Sequence, residues 1–336
     1  MGRHLRGAAL AVLIMAAGAP GARAQQEIET ILVLPALTLS YAAAWVADDG
    51  WLFKKNGLKV STRQLVGVAA NNAVINGSAD FAFGTAATYL NGVAKGQRLL
   101  LLANMVNRPS SELVLRKDVA EQMKITENSP FEQRIRAIKG KTIAIGGIGS
   151  APHAWLRLLA RKVGMDPEND FTSAVVDATA QVPSLIAKRV DGISAPTPFS
   201  NEAVIKGGAV ILASPATGDL PEYYPTASVV LMTRGEVCQR QPEKCRRMTH
   251  AVQDAVAMIK SDDGAAWRIV QKRNEKMDPE VLKDAWEASR RIYTTDMKIT
   301  DQMLEVAQKF SLDAGLIQPQ DAVTDYRGLY THEFQK

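Results

Sequence analysis

Two cysteines and four histidines are all that the 336 residues offer for thiol or imidazole chemistry. The histidines stand far apart: His4 near the start, His153 alone mid-chain, and His250 and His332 late. No pair of them has metal-ligand spacing, and no C-x-x-C accompanies them, so neither a metal centre nor a redox pair is expected. A G-x-S-x-G elbow is missing, which removes the usual frame of a serine nucleophile. The glycine-rich run at Gly146-Gly147-Ile148-Gly149 lacks both the G-x-G-x-x-G spacing and a P-loop lysine, so no nucleotide cofactor is expected. No apolar run reaches the roughly 20 residues of a membrane-spanning helix.

A charge of one sign is also lacking once the start of the chain is set aside. Arg3 and Arg6 precede the apolar run Ala8–Ala17, Gly18 and Pro20 break it, and Ala22-Arg23-Ala24 presents small residues for cleavage. That layout reads as a secretory signal peptide over residues 1–24, with Gln25 opening the mature chain. No cysteine follows the cleavage point, so a lipid anchor is not expected. The leader takes away three Arg and no acid, so the 40 basic residues fall to 37 against 35 acidic, and the net charge drops from +5 to +2. A nearly neutral chain gives no electrostatic reason to expect nucleic acid or an anionic membrane surface as partner.

What remains is enough for two domains: about 310 residues, with 46% of the chain apolar. In an exported protein Cys238 and Cys245, with six residues between them, are expected to pair. Closing so short a loop is worth roughly 2–3 kcal/mol.

Short apolar runs alternate with amphipathic stretches from Ile31 to about Thr233, the rhythm of a parallel α/β architecture. Strands are predicted at 30–34, 58–64, 80–83, 99–105 and 111–116. A second set falls at 142–145, 172–176, 192–195, 209–213 and 227–233. Helices are predicted over 41–55, 86–95, 152–163 and 180–188. After Thr233 the pattern becomes helical only, at 242–261, 264–276, 279–293 and 300–314, a tail expected to pack on one lobe as an outer layer.

The two sets correspond. Ile75 to Phe83 runs from a helix end through Asp80 into a strand, and Ile186 to Ser194 does the same through Asp191. The spacing that separates those two aspartates also carries Ile31–Pro35 onto Thr142–Gly146, while Gly57 and Gly164 each follow a helix end at a C-cap position. The chain reads as two copies of one βαβ-based half.

In open parallel sheets, ligands sit beyond the strand carboxyl ends, where helix N-termini present free N–H groups. In the first half those positions are Leu37, Thr38, Ser40 and Tyr41 after the first strand, and Thr85 and Ala86 after the third. The second half offers Gly149, Ser150, Ala151 and His153, then Asp177 and Thr179, then Thr197. Asn107, at the crossing from one set to the other, is a further candidate. Gly146 to His153 is the sharpest segment: glycines allow close backbone approach, Ser150 suits an N-cap and Pro152 the first turn. Tyr41, Phe83, Phe199 and Tyr224 have rings able to stack on a planar ligand or to fill the core. Asp80 and Asp191 precede their strands, at the end away from these loops, and read as turn or cap residues.

Taken together, Gly50–Leu58, Asn76–Phe81, Gly96-Gln97 and Gly149–His153 resemble the nitrate/sulfonate/taurine-type periplasmic binding proteins of ABC importers, a family related to thiamine-pyrimidine-synthase-like proteins. The resemblance implies a type II fold of two doubly wound lobes joined by two crossover strands. The first lobe would comprise 28–110 with the helical tail 232–336, and the second would comprise 111–231. It further implies a periplasmic monomer that closes around a small molecule and docks on a membrane permease with its ATPase. The pocket residues it implies are Leu37 to Tyr41, Thr85-Ala86 and Gly149 to His153. The named loops hold no Arg or Lys, the usual partner of a bound sulfonate or nitrate; Arg108 is the nearest cation. An organic carboxylate or a neutral, pyrimidine-like compound stays open beside a sulfonate. An enzyme of the pyrimidine-synthase type would need a Cys- and His-bearing site, and both cysteines lie in the tail. A sensory binding module of the same fold is the other alternative.

Overall fold

The computed structural model describes residues 27–65, 68–261 and 263–336. The expected leader and its cleavage point lie outside the described residues. Among the described residues ten strands form two sheets of five. The first contains β1 (Ile28–Leu34), β2 (Leu58–Gln64), β3 (Phe81–Gly84) and β4 (Leu99–Val106), and the second begins with β5 (Ser111–Leu115). Then come β6 (Thr142–Ile145), β7 (Thr172–Val175), β8 (Gly192–Pro196) and β9 (Val210–Ala213), and β10 (Val229–Arg234) returns to the first sheet. The orders are β2-β1-β3-β10-β4 and β7-β6-β8-β5-β9. Each sheet thus takes four strands from one half of the chain and one antiparallel strand from the other. The chain passes between sheets twice, at residues 107–110 and 214–228, and Thr226 N donates to the Asn107 carbonyl at 2.9 Å where the two passages meet.

Helices cover both faces of each sheet. The first half supplies α1 (Ala42–Asp49), α2 (Leu52–Lys55), α3 (Val68–Ile75) and α4 (Ala86–Ala94). The second supplies α5 (Lys117–Gln122), α6 (Phe131–Arg136), α7 (Ala151–Lys162), α8 (Ala178–Ile186) and α9 (Phe199–Gly207). The tail holds α10 (Gly235–Arg240), α11 (Pro242–Lys260), α12 (Ala265–Arg273), α13 (Pro279–Ile292) and α14 (Asp301–Asp313).

Burial on both faces explains why the strands β1, β3, β4 and β6 read as largely apolar runs. Leu32 and Leu34 pack with Trp45 of α1 and Val252 of α11, while Val33 faces Val74 of α3 and Leu90 of α4. The second sheet repeats this at the matching positions: Ile143 and Ile145 pack with Trp155 of α7, and Ala144 faces Val182 and Leu185 of α8. Gly57 and Gly164 both adopt left-handed backbone, φ 69° and 71°, a conformation glycine reaches without the Cβ penalty. The equivalence extends to hydrogen bonds. Asp80 accepts from Ile31 N at 2.9 Å, and Asp191 accepts from Thr142 N at 2.9 Å.

Two expectations change. The helix foreseen as continuous over 41–55 is broken: a 3₁₀ turn at Leu39–Tyr41 leads into α1, and Trp51 at φ 61° separates it from α2. Gly50, costing about 1 kcal/mol relative to Ala inside a helix, sits at that break. The tail also does not stay on one layer. Its α11 packs on the first sheet's core, but α14 lies against both α4 and α7, and α13 against both α9 and the 3₁₀ turn. Cys238 and Cys245 are joined in a disulfide that ties α10 to α11. No helix among the described residues is long and apolar enough to cross a membrane.

Candidate binding cleft

A cavity of about 180 Å³ opens where the loops of the two sheets face each other. From the first half come Thr38, Tyr41, Phe83 and Thr85, and from the second Gly149, Ser150, Asp177, Gln181 and Phe199. Ser110 and Ser111, at the first passage between sheets, complete it. A smaller cavity of about 70 Å³ shares Tyr41, Thr85, Gly149 and Ser150 and continues to Trp155, Tyr223 and, from the tail, Phe310.

Each loop is held by its own local chemistry. Thr85 caps α4, its Oγ1 accepting from Thr88 N at 3.1 Å. Ser150 caps α7 more loosely, accepting from His153 N at 3.4 Å while donating to the Gly147 carbonyl at 2.7 Å. Both satisfy a helix-end N–H that otherwise lacks a partner. The first loop is pinned from the tail: the buried Tyr293 hydroxyl accepts from Ala43 N at 3.3 Å and reaches the Leu39 and Ser40 carbonyls at 3.0 and 2.9 Å. That clamp seats Tyr41 with its ring 6.4 Å from Phe83. Burial pushes the phenols of Tyr41 and Tyr293 well above the ordinary tyrosine value, so both stay protonated.

Of the expected residues, the structure brings Thr38, Tyr41, Thr85, Gly149, Ser150, Ala151 and Asp177 to the cleft wall. Seven others do not line it. Leu37 points to solvent, 54% exposed, and Thr179 is exposed on the first turn of α8. Ser40 is buried with its hydroxyl donating to Ser110 Oγ at 2.9 Å. Ala86 spends its N–H on the Ala227 carbonyl, and Asn107 engages its N–H with the Ile292 carbonyl. His153 turns inward, where its Nδ1 accepts from Gly149 N at 3.0 Å; burial, assisted by Arg157, lowers its pKa and keeps the imidazole neutral. Thr197 pairs with Ser289 of α13 at 2.9 Å in a buried contact. These groups shape the loops rather than the wall.

Sequence reasoning missed Gln181, Asn71, Thr88, Ser110, Ser111 and the tail's Phe310. Gln181 left a signal, an amide on the face of α8 that it shares with the buried Val182 and Leu185. No Lys, Arg or His lines either cavity among the described residues, and Asp177 is the single carboxylate. Arg108, the expected nearest cation, is exposed and lies over the Tyr224 ring, 4.8 Å from its centre. Tyr224 is likewise outside the walls, whereas Phe83 and Phe199 are part of them. The cysteine pair lines neither cavity.

Residues 36–272 match the profile of the NMT1-like family. The chain belongs to that family. No curated protein matches it. Among solved structures, a protein of Bordetella bronchiseptica RB50 superposes with TM-score 0.75 at 21% identity, over 91% of this chain and 95% of that one. The alkanesulfonate-binding protein SsuA of Xanthomonas axonopodis pv. citri, bound to MOPS, gives 0.67 at 15% identity over 88% and 96%. The periplasmic nitrate-binding protein NrtA of Synechocystis PCC 6803 gives 0.64 at 17% identity over 85% and 80%. At these identities the likeness carries the fold, the two-lobed type II arrangement of periplasmic binding proteins.

Chemically, the cleft offers hydroxyls, the amides of Gln64, Asn71 and Gln181, one carboxylate and three aromatic rings. That set suits holding a small molecule by hydrogen bonds and stacking.

Proposed function

We propose that this chain is the soluble substrate-binding component of an ABC importer, exported to the periplasm with its leader cut near Ala24. It captures a small organic molecule in the cleft between the lobes and presents it to a permease with its ATPase. The division into lobe 1 (28–110 with 232–336) and lobe 2 (111–231) is part of this proposal, as is a monomeric state. The observation that carries it is the cavity itself: both sheets, through the loops at their strand ends, face one space. The alkanesulfonate- and nitrate-binding neighbours share that arrangement of fold. Binding rather than turnover is the reading that the alkanesulfonate- and nitrate-binding neighbours support. Capture then works by rigid rotation of the lobes about the two passages between sheets.

A thermal-shift panel of aryl carboxylates, sulfonates, amines and pyrimidines against the mature chain tests the reading. A ligand of the right class raises Tm in step with its concentration, as mass action requires. Tm unmoved by every class would refute capture.

A further inference from the structure

The wall contributed by α8 offers acceptors without donors to match. Asp177 stands at the N-cap of α8 and its carboxylate takes no helix N–H. One turn on, Gln181 is only 2% exposed. Its amide is oriented by Nε2 donating to the Val176 carbonyl at 3.0 Å, which leaves Oε1 buried with no partner. Turning the amide over would set oxygen against oxygen, so the orphan acceptor belongs to this geometry. Buried acceptors without a donor are rare because they cost much of a hydrogen bond, and a ligand donor would remove that cost. Both groups line the cavity, and among the described residues no cation does.

From these groups we infer that the cleft selects a ligand with a cationic N–H donor head, an amine or amidine, seated on Asp177 and Gln181. Its flat apolar body lies among Tyr41, Phe83 and Phe199. The inference rests on the reading of this cavity as the capture site. The helix ends at Thr85 and Ser150 do not reverse it. Each counts for about half a charge, its influence fades within the first turn, and its cap hydroxyl already occupies an N–H.

Titration calorimetry of the mature chain at low salt uses four probes of one body: benzamidine, benzylamine, benzoate and benzenesulfonate. Benzamidine and benzylamine bind, and the two anions bind about tenfold weaker or less, as expected when one partner of each charge-assisted bond changes sign. Asp177→Asn, at an exposed position, weakens benzamidine by about tenfold or more, and Gln181→Leu weakens it by a smaller factor. An anion binding as well as benzamidine overturns the inference and leaves capture standing. So does an unchanged benzamidine affinity in a folded Asp177→Asn chain. Failure of all four probes at about 10 mM, the far end of weak fragment binding, overturns the inference, and capture is then decided by the wider thermal-shift panel.

Discussion

The two halves of this molecule use one carboxylate device and protect it differently. Asp80 and Asp191 each accept the first strand's N–H of their own half at 2.9 Å. The second oxygen of Asp80 meets Lys244 at 2.8 Å, and that lysine, borrowed from the tail, is only 6% exposed. Asp191 instead faces Arg116 at 3.4 Å, and Arg116 has a second carboxylate, Asp118, at 2.6 Å. The same backbone task is thus secured in the first half by a single enclosed pair and in the second by a shared, more open cluster. The difference shows what the tail does. It supplies the counter-ion of Asp80, a disulfide and the Tyr293 clamp to the first half, whereas the counter-ion of Asp191 is Arg116, which directly follows β5 of the second sheet.

Removing each aspartate separates the two arrangements. Asp80→Ala strands a buried ammonium and should cost about 3 kcal/mol, whereas Asp191→Ala leaves Arg116 with Asp118 and should cost about 1–2 kcal/mol. Equal losses in urea melts would erase the distinction. Next in size, Cys238→Ser with Cys245→Ser opens the loop between α10 and α11 and should cost about 2.5 kcal/mol. Calorimetry showing no change would remove the staple from the account. Smaller still are the caps: Thr85→Ala and Ser150→Ala should each cost about 1 kcal/mol, with Thr85 the more damaging because its bond is the shorter. A reversed order would mean that the Gly147 contact, not the cap, governs Ser150.

The last contrast is in pH. The first-half position matching His153 is Ala42, so this loop can sense acid in one half only. Burial holds the folded pKa of His153 below its ordinary 6.5, so the unfolded chain takes up the proton first. The stability from the neutral form is complete above about pH 6.5 and is lost as pH falls through the folded pKa, when Nδ1 can no longer accept from Gly149. His153→Asn should flatten that part of the acid limb; an unaltered limb would assign it elsewhere, His250 being the other histidine with a lowered pKa.

Burial writes β6 as a plain apolar run, and β2, a mostly exposed edge strand, was legible instead from its β-branched Val60 and Thr62 after the Gly57 stop; both fall on the residues expected of them. Asp80 and Asp191 were readable as structural because each interrupts such a run at the same place in its half. The break at Trp51 was not, since the apolar pattern continues across it into Leu52 and Phe53. For the cleft, loop residues at helix starts were accessible to reasoning about strand ends, and Thr85, Ser150 and Asp177 came from it. Ser110, Thr88 and Phe310 did not, because only tertiary packing brings a passage between sheets, the inner face of α4 and a tail helix to one space. Ser40 and Thr197 misled for the same reason, each finding a partner far along the chain.

The central claim is that both halves hold one small molecule between them. Native mass spectrometry of the chain from Gln25 onward, purified without denaturation, tests this most directly. The account predicts a one-to-one complex with a small organic compound, lost when Thr85 and Ser150 are replaced together by bulky residues in a chain that still folds. A bare chain that no compound class occupies, or a complex indifferent to both replacements, would contradict it.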